Sequence, residues 1–387
     1  MNHKRILITR YGGIGDIAPL MVVAEQLRAE GHHITMALRD DQGSVKQTDL
    51  VKNSGCYDEL LDLVQMGPWG NRCIKYKKGW KTIESTYHEY DEVIDYMFSI
   101  EGNSTCRSSF VKNPTDEWKK TRGSNWQNWY DLSLSWANID PSTIPDSDKR
   151  PTFKLTVEET RVSTAIRDRY KTIIAINPFA SSLARTWYQA KDLIPMIWAH
   201  WKDVLICSWN PRENEWEYYT KEGKQNIDLE NDSPLRATMT LIHACDLYIG
   251  ADSGFGHVAE GLNKRHITLY STVPSWTRSK YYKYETSIDM GKEMPECYTF
   301  ALQAGDPLRI EEGQKGLSKR EKTIAELYSR RAPIEEAAKE LNTDPIGLNM
   351  ELESLNKKME SFGRQQSKAL TKITPDMVMD NVKELLK

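Results

Sequence analysis

The pattern that most constrains this chain is a strand, a turn of tiny residues and an amphipathic helix, written once in each half. In the first half, Arg5-Ile6-Leu7-Ile8-Thr9 is an apolar, β-branched run that reads as a buried strand. Gly12-Gly13-Ile14-Gly15-Asp16 breaks it. Ile17 to Glu30 follows with Leu20, Val23, Ala24 and Leu27 on one helical face, closed by Gly31. His33 to Ala37 is the next strand, and Leu60 to Val64 and Glu92 to Asp95 read as further strands of the same sheet. Strands joined through a helix pair in parallel, so an α/β architecture is expected. In the second half, Thr156 caps a helix through Tyr170. Strands at Thr172–Ile176, Val204–Cys207, Leu247–Ile249 and His266–Tyr270 then alternate with helices at Lys191–His200 and Leu235–Ala244.

Between the halves lies Asp140-Pro141-Ser142-Thr143-Ile144-Pro145-Asp146, a linker by composition. The expected organisation is two Rossmann-like domains, 1–145 and 146–313, facing each other across a cleft. The stretch from Gly67 to Asn128, rich in Trp, Tyr, Lys and Arg, is expected to form loops and short helices over one face. Residues 314–387 read as a helical extension. Helices at Glu321–Arg331, Ile334–Leu341 and Ile346–Met359 surround a turn at Asn342–Pro345, giving helix-turn-helix proportions with Asn342 where glycine is usual. From Gln314 onward there are 14 Lys and Arg against 12 Asp and Glu, so the tail is only mildly basic. A packing or oligomerisation extension stands beside a DNA reader.

Composition excludes several classes. The 387 residues leave room for two domains, and a net charge of −3 gives no global attraction to nucleic acid or membrane. Six scattered cysteines include no CxxC pair, which argues against a metal site and a disulfide framework. The N-terminus enters a strand-like run directly, and no apolar stretch approaches about 18 residues, so a cytoplasmic protein without an integral membrane segment is expected. Twelve Trp and eighteen Tyr, several in polar surroundings, fit either packing or the lining of a sugar or base site.

The chemistry-bearing residues sit at strand ends. Ile249-Gly250-Ala251-Asp252-Ser253-Gly254-Phe255-Gly256-His257 joins a strand to a helix through small residues. Free N–H groups converge there under the positive end of the helix dipole, with the Ser253 hydroxyl and the His257 ring beside them. That arrangement suits a diphosphate. Gly12, Gly13 and Gly15 allow another molecule close to the first loop. Asp16 is either a helix cap or a general base for an acceptor hydroxyl. Asn177-Pro178-Phe179-Ala180-Ser181-Ser182 also follows a strand, where α/β proteins bind ligands. Arg185 just beyond it is either a solvated cation or the neutraliser of a leaving diphosphate. Ser208-Trp209-Asn210-Pro211-Arg212-Glu213 is either a base or ribose loop or a surface turn.

Taken in order, three blocks make the chain resemble the heptosyltransferase-like glycosyltransferases of family 9. They are Gly12–Asp16, Asn177–Ser181 through Arg185-Thr186-Trp187, and Asp246–Gly254 with His257. Weaker echoes are Tyr90–Asp95, Glu213 and Ser233-Pro234-Leu235, and coverage is roughly residues 4 to 285. The resemblance implies the GT-B fold and an inverting, metal-independent transfer with no cofactor beyond a nucleotide-sugar co-substrate. It places the donor mainly on the C-terminal domain and the acceptor on the N-terminal one. It makes Asp16 the catalytic base. Ser181, Arg185, Glu213, Asp252, Ser253, Gly254 and His257 would bind the donor, with Arg185 standing where the family has a phosphate-contacting Lys. The chain departs from the family between Trp69 and Trp136, which does not look like a lipopolysaccharide-binding region, and in the tail after about Lys315.

The acceptor is expected to be a hydroxylated base in DNA, as in phage DNA modification. The helix-turn-helix-like tail supports this, as does a segment where Arg72, Lys75, Lys77, Lys78, Lys81, Lys119, Lys120 and Arg122 can meet phosphates and aromatics can stack on an extruded base. A saccharide of lipopolysaccharide or capsule is the alternative that the resemblance favours. A non-catalytic nucleotide- or DNA-binding module is the third reading, against which the intact Gly15-Asp16 and Asp252-Ser253-Gly254 stand.

Overall fold

The computed structural model describes residues 3–10, 12–40, 46–65, 72–76, 79–96, 128–180, 183–211, 213–229, 233–294, 297, 317–329, 334–360 and 367–387. In the first half, β1 (Arg5–Arg10), β2 (His33–Arg39), β3 (Glu59–Gln65), β4 (Arg72–Tyr76), β5 (Gly79–Thr82) and β6 (Glu92–Asp95) form one sheet in the order β5-β4-β3-β2-β1-β6. β3, β2, β1 and β6 run parallel, with α1 (Ile17–Ala29) crossing from β1 to β2. Successive side chains of β1 take opposite faces: Ile6 and Ile8 pack under α1, and Leu7 packs with Ala37, Leu61, Leu63 and Ile74 on the other side.

The stretch expected to be irregular after Gly67 instead adds β4 and β5 as an antiparallel edge. Strands of four and five residues with few apolar positions are too short to show a period-2 pattern. Residues 97–127 lie outside the described residues. α2 (Thr48–Val51) lies between β2 and β3, and Asn128 accepts hydrogen bonds from Tyr130 N at 2.9 Å and Asp131 N at 3.3 Å, capping α3 (Trp129–Trp136).

The second half holds α4 (Val157–Arg167), β7 (Thr172–Asn177), α5 (Ala190–His200), β8 (Val204–Asn210), β9 (Glu215–Thr220), β10 (Gly223–Gln225), α6 (Pro234–Ala244), β11 (Leu247–Ala251), α7 (Gly254–Gly261), β12 (His266–Tyr270), α8 (Ser275–Ser279) and β13 (Glu285–Asp289). The sheet order is β10-β9-β8-β7-β11-β12-β13, parallel from β8 to β13 and antiparallel at β9 and β10. α4 begins in a capping box: Thr156 Oγ1 accepts from Glu159 N at 3.1 Å, and Glu159 returns an oxygen to Thr156 N at 2.7 Å. The two halves are stitched by buried polar contacts. Arg236 of α6 pairs with Glu159 and donates to the Asp49 and Lys154 carbonyls, and Asn128 donates to Trp276 O at 2.8 Å.

The tail divides by packing. α9 (Lys319–Ser329), α10 (Ile334–Glu340) and α11 (Pro345–Glu360) share a small core of Leu317, Ile324, Leu327, Ala337, Ala338, Leu341, Leu348, Leu352 and Leu355. Asn342 takes φ +50° in the turn, the left-handed conformation that the helix-turn-helix proportions require. The chain then returns. α12 (Lys368–Thr371) and α13 (Pro375–Leu385) bury Leu370, Ile373, Val378, Met379 and Val382 against the second sheet and α5, and Trp187 Nε1 donates to Ile373 O at 2.9 Å. No helix among the described residues is long and apolar enough to cross a membrane.

One buried carboxylate fixes the end of α7. Glu260, with no side-chain exposure, accepts from Arg150 at 2.7 Å and from the Lys283 and Tyr284 amides at 2.9 and 3.0 Å. Glu260→Ala strands two amides and a guanidinium, so urea unfolding is expected to show a loss of about 3 kcal/mol. A loss near zero would mean that water replaces the carboxylate.

Candidate active site

β1 ends against β6, where Arg10 is nearly fully buried and donates to the Tyr96 carbonyl at 2.7 Å. That anchor fixes the guanidinium under the Gly12–Asp16 loop. The Gly12 carbonyl is held by Gln47 Nε2 at 2.7 Å, and a Cβ at Gly12 would collide with the Asp16 carboxylate and the Arg10 guanidinium. Asp16 closes a 3-10 turn, Ile14–Asp16, immediately before α1. Its side chain does not cap α1. Instead Oδ2 accepts from Gly13 N at 2.5 Å and pairs with Arg10 Nη2 at 2.9 Å, while Oδ1 has no partner among the described residues. Burial favours the neutral acid, but the Arg10 charge and these bonds outweigh it and hold the carboxyl below its ordinary range. The result is an ionised carboxylate with one oxygen anchored and the other open.

The second loop follows β11, whose five residues are all buried. α7 starts at Gly254, so its first N–H groups point out of the sheet with no intrahelical partner. The Ser253 Oγ does not cap them. It is buried beside the Tyr248 hydroxyl without a well-formed hydrogen bond. Arg185, at the end of the 3-10 turn Leu183–Arg185, grips this loop through Nη1, 3.0 Å from the Asp252 carbonyl and 3.2 Å from its carboxylate. On the first turn of α7, the His257 Nδ1 is bonded to the Tyr282 hydroxyl, which lies 2.6 Å from the Tyr130 hydroxyl on α3.

Burial pushes His257 down to about 4, so its ring is neutral. The unfolded chain takes up this proton near pH 6.5, while the folded site refuses it until about pH 4. His257 therefore lowers stability as the pH falls through that window, by on the order of 3 kcal/mol. Urea midpoints at pH 7 and 4.5 are expected to draw together in His257→Gln. An unchanged gap would place the proton uptake elsewhere.

The two loops meet. A Cβ on Gly254 would stand 2.5 Å from Ile14 Cβ and 3.0 Å from Gly15 N, and a Cβ on Gly15 would stand 3.1 Å from His257 Nε2. Asp16 and the α7 N-terminus thus share one site, and the charge of Asp16 acts on His257. Arg278 of α8, buried with its guanidinium over the Trp129 ring, acts on both. Arg278, Tyr282 and Tyr130 were not legible as site residues, because nothing in their local spacing marks them. Ser181 lies outside the described residues. Glu213 is exposed in the turn between β8 and β9, and Ser208, Trp209 and Asn210 of the loop expected after Cys207 are instead the end of β8. Its Trp209 reaches the phosphate-loop side instead, edge-on to Phe255 and Trp216 with ring centroids 5.4 Å from each. Among the described residues, no group of three or more His, Cys, Asp and Glu is placed to hold a metal ion.

The family model of glycosyltransferase family 9 (heptosyltransferase) matches residues 138–295. The chain carries a glycosyltransferase domain. Among solved structures, the chain is similar to the E. coli ADP-heptose LPS heptosyltransferase II, at 13% identity and a TM-score of 0.52, with 99% of this chain and 98% of that one covered. It is also similar to the family 9 glycosyl transferase of Veillonella parvula DSM 2008, at 14% identity and a TM-score of 0.49, with 88% and 97% covered. No curated protein matches. The first likeness identifies the fold of this glycosyltransferase as GT-B, two α/β sheets with the strand ends of both at one site.

Proposed function

We propose that this glycosyltransferase moves a sugar from a nucleoside-diphosphate sugar to an acceptor hydroxyl with inversion. Asp16 Oδ1 takes the acceptor proton as the hydroxyl oxygen bonds to the anomeric carbon and the bond to the diphosphate breaks. The free amides of the α7 N-terminus, the Ser253 hydroxyl and the His257 Nε2 meet the charge that develops on the departing diphosphate. Arg185 and Arg278 supply positive charge around it, Arg185 by holding the loop. The single observation that carries the reading is the contact of Gly15 with Gly254 and His257, which brings an open carboxylate oxygen onto an anion-binding helix end. In this reading the domains are 1–145 and 146–313, the second completed by residues 367–387, which pack into its core.

The nucleotide base lies against Trp209 in this reading. Trp209→Ala is expected to raise the nucleotide-sugar KM about tenfold with little change in kcat, since base stacking is worth about 1–3 kcal/mol. An unchanged KM would move the base elsewhere. Glu213 and Ser181 are proposed donor contacts of lesser weight.

A saccharide acceptor is the favoured reading, and the family 9 match over 138–295 supports it. A hydroxylated base in DNA remains the second, supported by the helix-turn-helix turn at Asn342. Against it, α11 exposes Ile346 and Met350 where a DNA-reading helix offers polar and basic side chains. Of the basic residues expected to meet DNA, Lys77, Lys78, Lys119, Lys120 and Arg122 lie outside the described residues, and Lys81 pairs with Glu89 at 2.6 Å. Mass spectrometry after incubation with a nucleotide-sugar panel beginning with ADP-heptose, given saccharide acceptors and hydroxymethylated DNA in parallel, separates them. Glycosylated DNA would overturn the saccharide reading, and the absence of both transfer and donor hydrolysis would overturn the transferase reading.

A further inference from the structure

We propose that Tyr282 and Tyr130 are positioning residues that fix the His257 imidazole in the tautomer with its proton on Nε2. Three groups form a line that joins the buried His257 to the buried Tyr130 through half-buried Tyr282: the His257 Nδ1, the Tyr282 hydroxyl bonded to it, and the Tyr130 hydroxyl 2.6 Å further on. Besides a pattern in which Tyr282 accepts from both Nδ1–H and Tyr130, leaving its own proton without an acceptor among the described residues, the line admits two directions of donation. If Nδ1–H donates to Tyr282 and Tyr282 donates to Tyr130, the Tyr130 proton is left in a buried site without an acceptor among the described residues. An unsatisfied buried donor costs about 1–3 kcal/mol. If Tyr130 donates to Tyr282 and Tyr282 donates to Nδ1, both hydroxyl protons are used. The ring proton then sits on Nε2, the nitrogen beside the Gly15 loop. The second direction leaves one free donor, and it faces the site.

The same line joins the two halves of the molecule. His257 and Tyr282 belong to the second sheet's side, and Tyr130 sits on α3, which packs against α1 of the first. Tyr130 also packs edge-on to Tyr281 and Tyr282, which fixes its hydroxyl on this line. The hydrogen-bond donor offered to a bound anion therefore depends on a residue from the opposite half. What Nε2–H does rests on the transferase reading; its existence does not.

Nitrogen-15 NMR of the full-length, histidine-labelled protein tests the tautomer directly, with the His257 signals assigned by their loss in His257→Gln. At pH 7, Nε2 is expected to be the protonated nitrogen and Nδ1 the bare one. Tyr282→Phe is expected to turn this into a mixture of both neutral forms, and Tyr130→Phe to do so more weakly. A proton on Nδ1 in the wild type, an imidazolium at pH 7, or an unchanged tautomer in both variants would overturn the inference. With an active nucleotide-sugar, Tyr282→Phe is expected to lower kcat about tenfold and leave KM within about threefold, the pattern of a contact strengthened in the transition state. A change confined to KM would assign Tyr282 to packing. Lack of turnover with every donor would fail the transferase reading and leave the NMR result to decide the tautomer.

Discussion

Asp16→Asn is expected to lower kcat about a thousandfold while leaving nucleotide-sugar binding within a few fold. The substitution is nearly isosteric. The new carbonyl oxygen can take the place of Oδ2, accepting from Gly13 N and facing Arg10 Nη2, so the loop keeps both anchors. The amide nitrogen then occupies the place of Oδ1, the oxygen without a partner, and it cannot accept a proton. In the wild type the Arg10 charge keeps the carboxylate ionised, so the base is present throughout the neutral range. Single-turnover rates and calorimetric titration with the donor separate the step from the binding. Intact turnover would place the proton acceptor elsewhere and reduce Asp16 to an anchor of its own loop.

Gly254→Ala is expected to reduce kcat/KM about a hundredfold, because a 1 Å displacement of reacting groups costs about that much. The added carbon would stand 2.5 Å from Ile14 Cβ and 2.7 Å from Ile14 Cγ2. A β-carbon next to the main chain cannot swing away, so the Gly12–Asp16 loop must move off α7. The change is not a helix-propensity effect, since alanine is the better helix former. Gly256→Ala is the control two residues on, where the added carbon meets Thr268 Oγ1 at an ordinary 3.4 Å and activity is expected to hold. Equal activity in both variants would mean that the two loops need not touch during catalysis.

Much of the fold could be read along the chain. The strand at β6 and the one at β12 fall on the expected residues, and the helix expected after Thr156 starts there with Thr156 as its cap. These features are local: a period of 2 or 3.6, a capping hydroxyl, a glycine at a helix end. β4, β5 and β10 escaped because strands of three to five residues bury too few residues to show a period, whereas β9 carries one, with Trp216 and Tyr218 buried two apart, and was missed although legible. α13 escaped for a different reason. Its apolar face is meaningful only once α5 is beside it, so it read as part of a separate tail although Val378, Met379 and Val382 complete the second core.

The candidate site shows the same boundary. Sequence alone determined the two strand–turn–helix units, Asp16 at the mouth of one and Ser253, Gly254 and His257 at the mouth of the other. Backbone anion sites are made by consecutive residues, and their chemistry is local. Only the tertiary structure decided that Gly15 rests on Gly254, that Arg10 rather than a helix end holds Asp16, and that Arg278, Tyr282 and Tyr130 close around His257. Gly15 and Gly254, and Tyr130 and Tyr282, lie more than a hundred positions apart, and the nearer pair of Arg10 and Asp16 depends on Arg10 being anchored at Tyr96. Charge, burial and hydrogen-bond direction at such distances depend on how two sheets pack, which no local pattern encodes.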